Sequence, residues 1–566
     1  MSAPPMSSVA IVLLPFVAGV LVYADTLAYG FVWDDTIILF DKVRHYRSLL
    51  DVFREPAGLA GLRVYRPITF GSYWLDVLVW GRTALGFHLT GVVLHGMNAA
   101  LVARVARGLG CAPWPAVLAG LLFAVHPIHS EAVSWVACRA DILATTCALL
   151  AVMVALEDRV RPRAMWLGAI ALTTLAAVGS KEVGVAVPVV LAVLEIVGGA
   201  AGRPRWQRPV VAAAAVAFYV AMRPLDRAVG LGMDVVGLDG LAGVLGALGF
   251  YVGQTVLPWG VTAYVPEAPH GVGVMAWALA GLVAGVGVVL AGERQGTLRR
   301  FGLAWFALGI GPPLLVAVAE MLQTKVSERY LYLPSVGLAL MVAGELTWHQ
   351  ARLRQRPLQI GLVVVLCVCA AVTVVRNRVW YDGVALWSAV VTVEQRDALP
   401  FTNLGIGLKE AGRVAEADAA LTTALDKRGD ASNRRLALIN LGHVRLQQHR
   451  GEEAILLFEE ANAIGGHAWA FHGLGIGYRW RARAHATAGD AVAAAEARTD
   501  AERALRAGLQ INARNHKLHF VLAGVLYDQG RYDQAVEHYR QVVVLAPETD
   551  VAVTAAGAIE QLTRGR

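Results

Sequence analysis

Residues 8–376 carry block after block of Val, Leu, Ala and Gly, each ~17 to 25 residues long and nearly free of charge. A helix of that length, rising about 1.5 Å per residue, crosses about 30 Å of hydrocarbon, where every backbone N–H and C=O must find its partner within the protein. This feature leaves few folds open: the region is a bundle of membrane-spanning helices. Composition agrees, because 56% hydrophobic and 16% charged residues among 566 exclude an ordinary soluble globular protein. Beyond about residue 380 the blocks stop, and a charged, Ala-rich, helix-favouring composition begins.

Candidate spans lie at 8–26, 88–107, 114–126, 132–156, 164–179, 183–198, 208–223, 272–291, 302–318, 331–348 and 358–376. The Arg-rich linkers 157–163, 203–208, 293–300 and 349–357 belong on the cytoplasmic face, and eleven crossings satisfy all four. The segment 241–258 is apolar enough to cross, but a crossing there would carry 293–300 outside; it is assigned to a re-entrant or interfacial helix. The first apolar run lacks a basic leader and is long for a cleaved signal, so it is read as a retained span. The formal net charge of +7 sits largely in the linkers, a topology signal that gives no reason to expect a nucleic-acid partner. Five cysteines in or beside apolar segments show no zinc or disulfide spacing and are read as small buried hydrophobes.

With the N-terminus inside, the external face receives 27–87, 126–131, 179–182, 224–271, 319–330 and everything after 376. The polar residues of the membrane region gather on that face, where they are expected to share one cavity. Asp34 and Asp35 in "FVWDDTIILF" follow the first span; a carboxylate there can act as a general base, its neighbour positioning an acceptor, pairing with a cation or sharing a divalent metal. The bland alternative is a helix cap. Arg66, Arg139, Lys181 and Arg329 are candidates to hold a phosphate. Against this stands internal pairing of Arg139 with Asp141, Lys181 with Glu182 and Arg329 with Glu328. His126, His129 and Glu131 in "HPIHSE" are assigned to substrate positioning rather than to a metal, together with Glu182, Glu328 and Tyr330. His88 and His95 are read as satisfied polar residues of the bundle.

From about 398 the chain repeats one helical template in 403–425, 440–461 and 522–547, with a stretched, degenerate unit between 467 and 515, giving about four helical pairs. Small residues recur at Gly405, Gly412, Ala417 and Ala424, and at Gly442, Ala454 and Ala461 beside Phe458. Ala523, Gly530, Ala535, Tyr539 and Pro547 follow the same template in the last unit. These segments resemble tetratricopeptide repeats, whose stacked pairs present a concave surface to extended peptides or partner proteins. A domain at 1–380 with an external first loop 27–87, a linker at 381–397 and a repeat domain at 398–566 follow.

The Asp-Asp pair, "YRPITF", "FHLTGVVLHGMNAAL", "LLFAVHPIHSEAVSWVACRADILA", "SKEVGVAVPVVL" and "SERYLYLPSVGLAL", in that order and followed by the repeats, resemble the transmembrane and tetratricopeptide-repeat-containing family. The resemblance implies an all-α fold: a polytopic bundle of type C glycosyltransferase architecture followed by a repeat solenoid. It also implies transfer of a sugar, with inversion, from a polyprenyl-phosphate carrier to Ser/Thr hydroxyls of exported proteins. On this reading Asp34 or Asp35 matches the catalytic acidic motif of the first loop, and no cofactor is required, although a divalent metal is compatible. The partners would be a lipid-linked sugar, a protein or peptide acceptor and membrane lipids. Compact loops and Ala/Gly/Arg-rich usage are read as those of a bacterial inner-membrane protein with its site and repeats on the periplasmic or extracellular side. Competing readings are a transferase acting on a lipid or glycan, and a non-enzymatic scaffold or transporter.

Overall fold

A computed structural model of the chain describes residues 7–43, 46–54, 57–59, 62–157, 163–198, 205–223, 238–258, 263–290, 296–318, 324–349, 352–547 and 549–564. It is helical apart from one short antiparallel hairpin, Ala57–Leu59 with Leu62–Val64. The chain divides into two compact units, Met1–Leu386 and Trp387–Arg566.

In the first unit, α1 (Ser8–Val22) leads through a 3-10 turn and a π-helical segment to α2 (Leu49–Arg54), the hairpin, α3 (Pro67–Trp80), α4 (Ala84–Gly108) and α5 (Pro113–Val125). The turn Pro127–His129 and α6 (Ser130–Ser134) precede α7 (Arg139–Leu156), α8 (Arg163–Ser180), α9 (Val187–Gly198) and α10 (Gln207–Met222). Then come α11 (Leu238–Val256), α12 (Val272–Leu290), α13 (Thr297–Val316), α14 (Pro334–Trp348) and α15 (Arg356–Asn377); α16 (Gly383–Val393) spans the boundary to the second unit. Among the described residues, five helices can cross a membrane by length and composition, or six when the bent pair Pro113–Val125 and Pro127–Ser134 counts as one span; four shorter apolar helices accompany them.

Each predicted apolar block is mostly helix, with breaks: block 8–26 turns at Tyr23 into a 3-10 segment, and block 331–348 passes through a turn at 332–333 before its helix. Block 132–156 breaks at Trp135, and block 183–198 opens as the 3-10 turn Glu182–Ala186, which leaves α9 twelve residues and about 18 Å of rise. Loop 27–87 is largely folded, and the expected linker 381–397 is mostly α16. Parts of the four Arg-rich linkers fall outside the described residues. Of those described, Arg208 pairs with Glu195 at 2.6 Å and Arg299 with Glu345.

Small residues let the bundle close. A Cβ on Gly19 of α1 would stand 3.0 Å from the Gly96 Cα of α4, and one on Gly302 of α13 would stand 2.6 Å from the Gly337 carbonyl of α14. Backbones this close gain dispersion contacts that no larger side chain permits, which is how helices associate where lipid removes the hydrophobic drive. The core around them joins α4, α5, α7, α8, α9, α13 and α14 through residues such as Val102, Ala119, Leu149, Leu191, Phe301 and Val336.

The second unit stacks four antiparallel pairs: α17 (Ala398–Glu410) with α18 (Val414–Leu425), α19 (Ala431–Gln447) with α20 (Gly451–Ile464), α21 (Ala468–Thr487) with α22 (Ala491–Ile511), and α23 (His516–Asp528) with α24 (Tyr532–Leu545). The closing helix α25 (Asp550–Arg564) packs on α24. The predicted small-residue positions are packing positions: a Cβ on Gly442 would meet the Phe458 ring at 2.7 Å, and Ala417, Ala454, Phe458 and Ala535 are fully buried. The stretched third unit is two long helices of 20 and 21 residues. Turns inside pairs one, three and four use Gly412, Gly489 and Gly530 at φ +74°, +81° and +78°; the second pair uses His449 at +61°.

Candidate functional site

The first candidate, the Asp34–Asp35 pair, lies where the chain leaves the 3-10 turn after α1. Trp33 adopts φ +50°, and its ring stacks on Trp135 at 4.8 Å and 4°; Trp135 stacks in turn on Trp380 at 5.4 Å and 14°. This three-ring ladder pins the segment to the break between α6 and α7. Asp35 is fully buried, and its two carboxylate oxygens accept from Val32 N at 2.9 Å and Ala137 N at 2.8 Å. Burial pushes Asp35 up to about 7, against the two N–H donors, and the adjacent Asp34 pushes in the same direction as burial. Asp35 therefore ties the first segment to the 136–138 turn.

Asp34 is partly exposed and its carboxylate accepts no hydrogen bond among the described residues. Burial raises its pKa, and the charge of Arg329 opposes the rise. The adjacent carboxylates thus occupy different environments: Asp35 is spent on backbone, Asp34 is available.

The four predicted cations are all ion-paired, but with partners other than their near neighbours in sequence. Arg66 clasps Glu182 through Nε at 3.0 Å and Nη2 at 2.6 Å. Lys181 Nζ lies 2.6 Å from both oxygens of Asp141. Arg139 takes Asp76 at 2.6 Å and Phe87 O at 2.8 Å, and Arg329 donates to Glu131 at 2.5 Å. The neighbour pairings of Arg139 with Asp141, Lys181 with Glu182 and Arg329 with Glu328 are accordingly corrected. Consecutive residues at these turns point apart, and the bundle supplies better-aligned carboxylates from other segments. Burial pushes Glu182 up, yet the Arg66 clasp outweighs it and holds the carboxyl at about 2.

Three cations remain in reach of a ligand. Lys181 Nζ and the Arg329 guanidinium each sit 5.0 Å from the centroid of the same ring, Tyr330. Arg66, clasped to Glu182, also feels the charge of Asp141, the partner of Lys181, and the Tyr330 hydroxyl, which joins it to the same group. The side chains of Arg66, Lys181 and Arg329 are 23%, 13% and 17% exposed. Arg139, at 1%, is sealed between the Tyr73 and Phe87 rings; a phosphate cannot reach it in this conformation.

The "HPIHSE" residues separate rather than converge. His129 is fully buried, its Nδ1 2.9 Å from Phe123 O and its Nε2 2.8 Å from Ser335 Oγ, which makes it a structural pin between α5 and α14. His126 Nδ1 accepts from Ile128 N at 3.4 Å and caps the turn. Glu131 accepts from Ser327 Oγ at 2.6 Å and from the backbone and guanidinium of Arg329, at 3.0 and 2.5 Å. His126 and His129 are thus corrected from substrate contacts to interior groups, because both are consumed inside the fold. Glu131 orients Arg329, and no group of three metal-ligating residues occurs among the described residues. Glu328 pairs with Arg376, whose Nη1 also donates to Pro258 O at 2.7 Å. Arg376 and Asp76 were missed in sequence, although a lone Asp in the apolar helix "PITFGSYWLDVLVW" was a signal that it has a buried partner. His95 donates and accepts within the core, against Tyr332 at 2.8 Å and Ala124 O at 3.0 Å.

The tetratricopeptide repeat family model matches residues 516–549. Among curated proteins, "Protein O-mannosyl-transferase Tmtc2" of Drosophila melanogaster is 35% identical over 204 residues, covering 33% of this chain and 21% of the relative. "Protein O-mannosyl-transferase Tmtc3" of the same fly is 25% identical over 546 residues, covering 79% of this chain and 58% of the relative. The chain thus spans 21% and 58% of the length of these relatives. Among solved structures, "YrrB: a TPR protein with an unusual peptide-binding site" has 20% identity and a TM-score of 0.24 over 32% of this chain and 84% of that one. The chain is therefore related in sequence to proteins named protein O-mannosyl-transferases and carries a tetratricopeptide repeat.

Proposed function

We propose that the chain is an inverting, type C membrane glycosyltransferase that moves mannose from a polyprenyl-phosphate carrier to Ser/Thr hydroxyls of exported proteins. The observation that carries this reading is the contrast between the two carboxylates. Asp34 alone of the pair is free to take a proton, and it lies under the field of Arg329, which shares the Tyr330 ring with Lys181. Relatedness to protein O-mannosyl-transferases supports the sugar and the protein acceptor.

Asp34 accepts the acceptor hydroxyl proton as the hydroxyl oxygen bonds to the sugar's anomeric carbon from the face opposite the phosphate. The anomeric C–O bond breaks, and its electron pair leaves on the lipid phosphate. Arg66, Lys181 and Arg329 hold that phosphate and stabilise the charge it gains. Their carboxylate partners keep the cations in place before the donor arrives, as preorganisation requires. Tyr330 orients two of the cations. In this reading the chain crosses a bacterial inner membrane eleven times, its site faces the periplasm, and the repeat unit captures the protein acceptor.

The test reconstitutes the full chain with a panel of polyprenyl-phosphate sugars and reads peptide glycosylation by mass spectrometry. Mannosylated Ser/Thr peptides are expected, with Asp34→Asn losing turnover while donor binding persists. Undiminished turnover in Asp34→Asn would remove the base. Transfer to lipid but to no peptide would replace the acceptor.

A further inference from the structure

The concave side of the repeat unit holds a groove of about 720 Å³ lined by the first helices of successive pairs, from Ile406 on α17 to Lys517 on α23. Its polar character is one-sided. Lys409 and Lys517 both line it, and neither has an ion pair among the described residues; Lys409 Nζ donates to Asn440 Oδ1 at 2.7 Å, and Lys517 lies over the Trp469 ring at 4.9 Å. One acidic residue, Glu410, lines the same groove, at its exposed rim. Arg413, Arg445, Arg479, Arg481 and Arg531 of the same unit each engage a carboxylate. Lys409 and Lys517 differ from these arginines in facing the groove without a carboxylate partner among the described residues.

The positive field converges on the groove. Burial drives His443 down to about 3, and His472, Lys409 and Lys517 push in the same direction. His472 is lowered to about 4 by burial, with Lys517 and His516 adding to it. Both imidazoles are therefore neutral near pH 7, apolar-faced rings beside two unneutralised ammonium groups. Trp469 is 39% exposed at the same place and offers a flat surface to an apolar or aliphatic neighbour.

We infer that this groove binds an extended protein segment bearing Asp or Glu side chains, held between Lys409 and Lys517 with an adjacent apolar residue on Trp469. Charge complementarity identifies the acidic chemistry. The length of the groove identifies an extended segment, because four pairs contribute to it and a chain passing through uses all of them. Asn440 supplies an amide that Lys409 already orients. Use of the groove as an acceptor dock rests on the proposed transferase function, whereas the binding itself does not.

Anisotropy of fluorescein-labelled ten-residue peptides against the detergent-purified full chain tests it. The peptides share Ser, Thr, Ala and Leu and differ only in carrying two Glu, two Gln or two Lys. The Glu peptide is expected to bind about tenfold more tightly than the Gln peptide, weakening as salt rises, with the Lys peptide weakest. Lys517→Gln, at an exposed position, and Lys409→Gln should each remove most of that preference, and Lys517→Glu should shift it toward the Lys peptide. Equal binding of the three peptides overturns the inference, as does an unchanged preference in Lys409→Gln/Lys517→Gln. C-terminal amidation of the Glu peptide should change nothing; loss of binding on amidation would overturn the choice of side chains over a chain end. Mannosyl transfer to the Gln peptide is measured in parallel, so that the groove and the enzymatic reading can fail separately.

Discussion

The two units handle charge in opposite ways. In the repeat unit many ion pairs are exposed and stay within one repeat or between neighbours: Arg413 with Glu416, Arg450 with Glu453 and Arg434 with Glu460 span 3, 3 and 26 residues of sequence. In the membrane unit Arg66 with Glu182 spans 116 residues, and Arg329 with Glu131 spans 198. A solenoid touches only its neighbours, so a charge can be neutralised only within its own or the next repeat. A bundle folded back on itself brings distant turns together, and low dielectric makes each of those turns demand a partner. The difference shows that charge in the repeats decorates a fold made by packing, whereas charge in the membrane unit locks its turns together.

Breaking a membrane-unit pair should therefore cost the most. Arg139→Ala leaves the buried Asp76 without a cation, held by Thr90 alone, and should destabilise the unit by about 3–5 kcal/mol, read as a fall in thermal midpoint in detergent. Arg139→Met with Asp76→Leu should recover most of it; failure to recover would mean the pair does more than satisfy itself. In the repeats the equivalent injury is to packing: Gly442→Val drives a side chain into the Phe458 ring and should cost about 1–3 kcal/mol by chemical denaturation.

The pH profile tests the carboxylate contrast at the site. The raised pKa of Asp34 means that its ionised, base-competent form is lost as pH falls through a value above that of an ordinary Asp. Turnover should then fall about tenfold per pH unit on that limb, and the limb should vanish in Asp34→Asn. Smaller effects belong to the repeat surface. His449→Gly relieves a left-handed backbone held by a non-glycine residue, and should stabilise by about 1 kcal/mol. Arg413→Ala removes a half-exposed pair and should change stability by less than about 1 kcal/mol; a larger loss would erase the distinction between the units.

Helices were legible because apolar length and small-residue spacing are local properties. The apolar blocks are mostly helical, and Gly405, Gly442, Ala454 and Phe458 pack as their positions in the repeat predict. The breaks at Trp135 and at Glu182–Ala186 were not legible, since Trp, Val and Ala fit a continuous span as well as an interrupted one. The site residues were found by type and side of the membrane, but their pairing was not. Sequence proximity offered Glu182 to Lys181 and Glu328 to Arg329, while backbone direction at the turns gave those acids to Arg66 and Arg376.

By itself the sequence determined that this chain is a helical membrane unit followed by stacked helical pairs, because hydrophobic length and packing period are written along a single segment. It also set out which charges would have to be accommodated. Only the tertiary structure decided that Asp35 is spent on backbone and Asp34 is left available. It also sealed Arg139 while leaving Lys181 and Arg329 beside one ring. Those outcomes depend on donors, carboxylates and aromatic faces that lie tens to hundreds of residues away, and a linear pattern does not encode which of several eligible partners arrives with the right geometry.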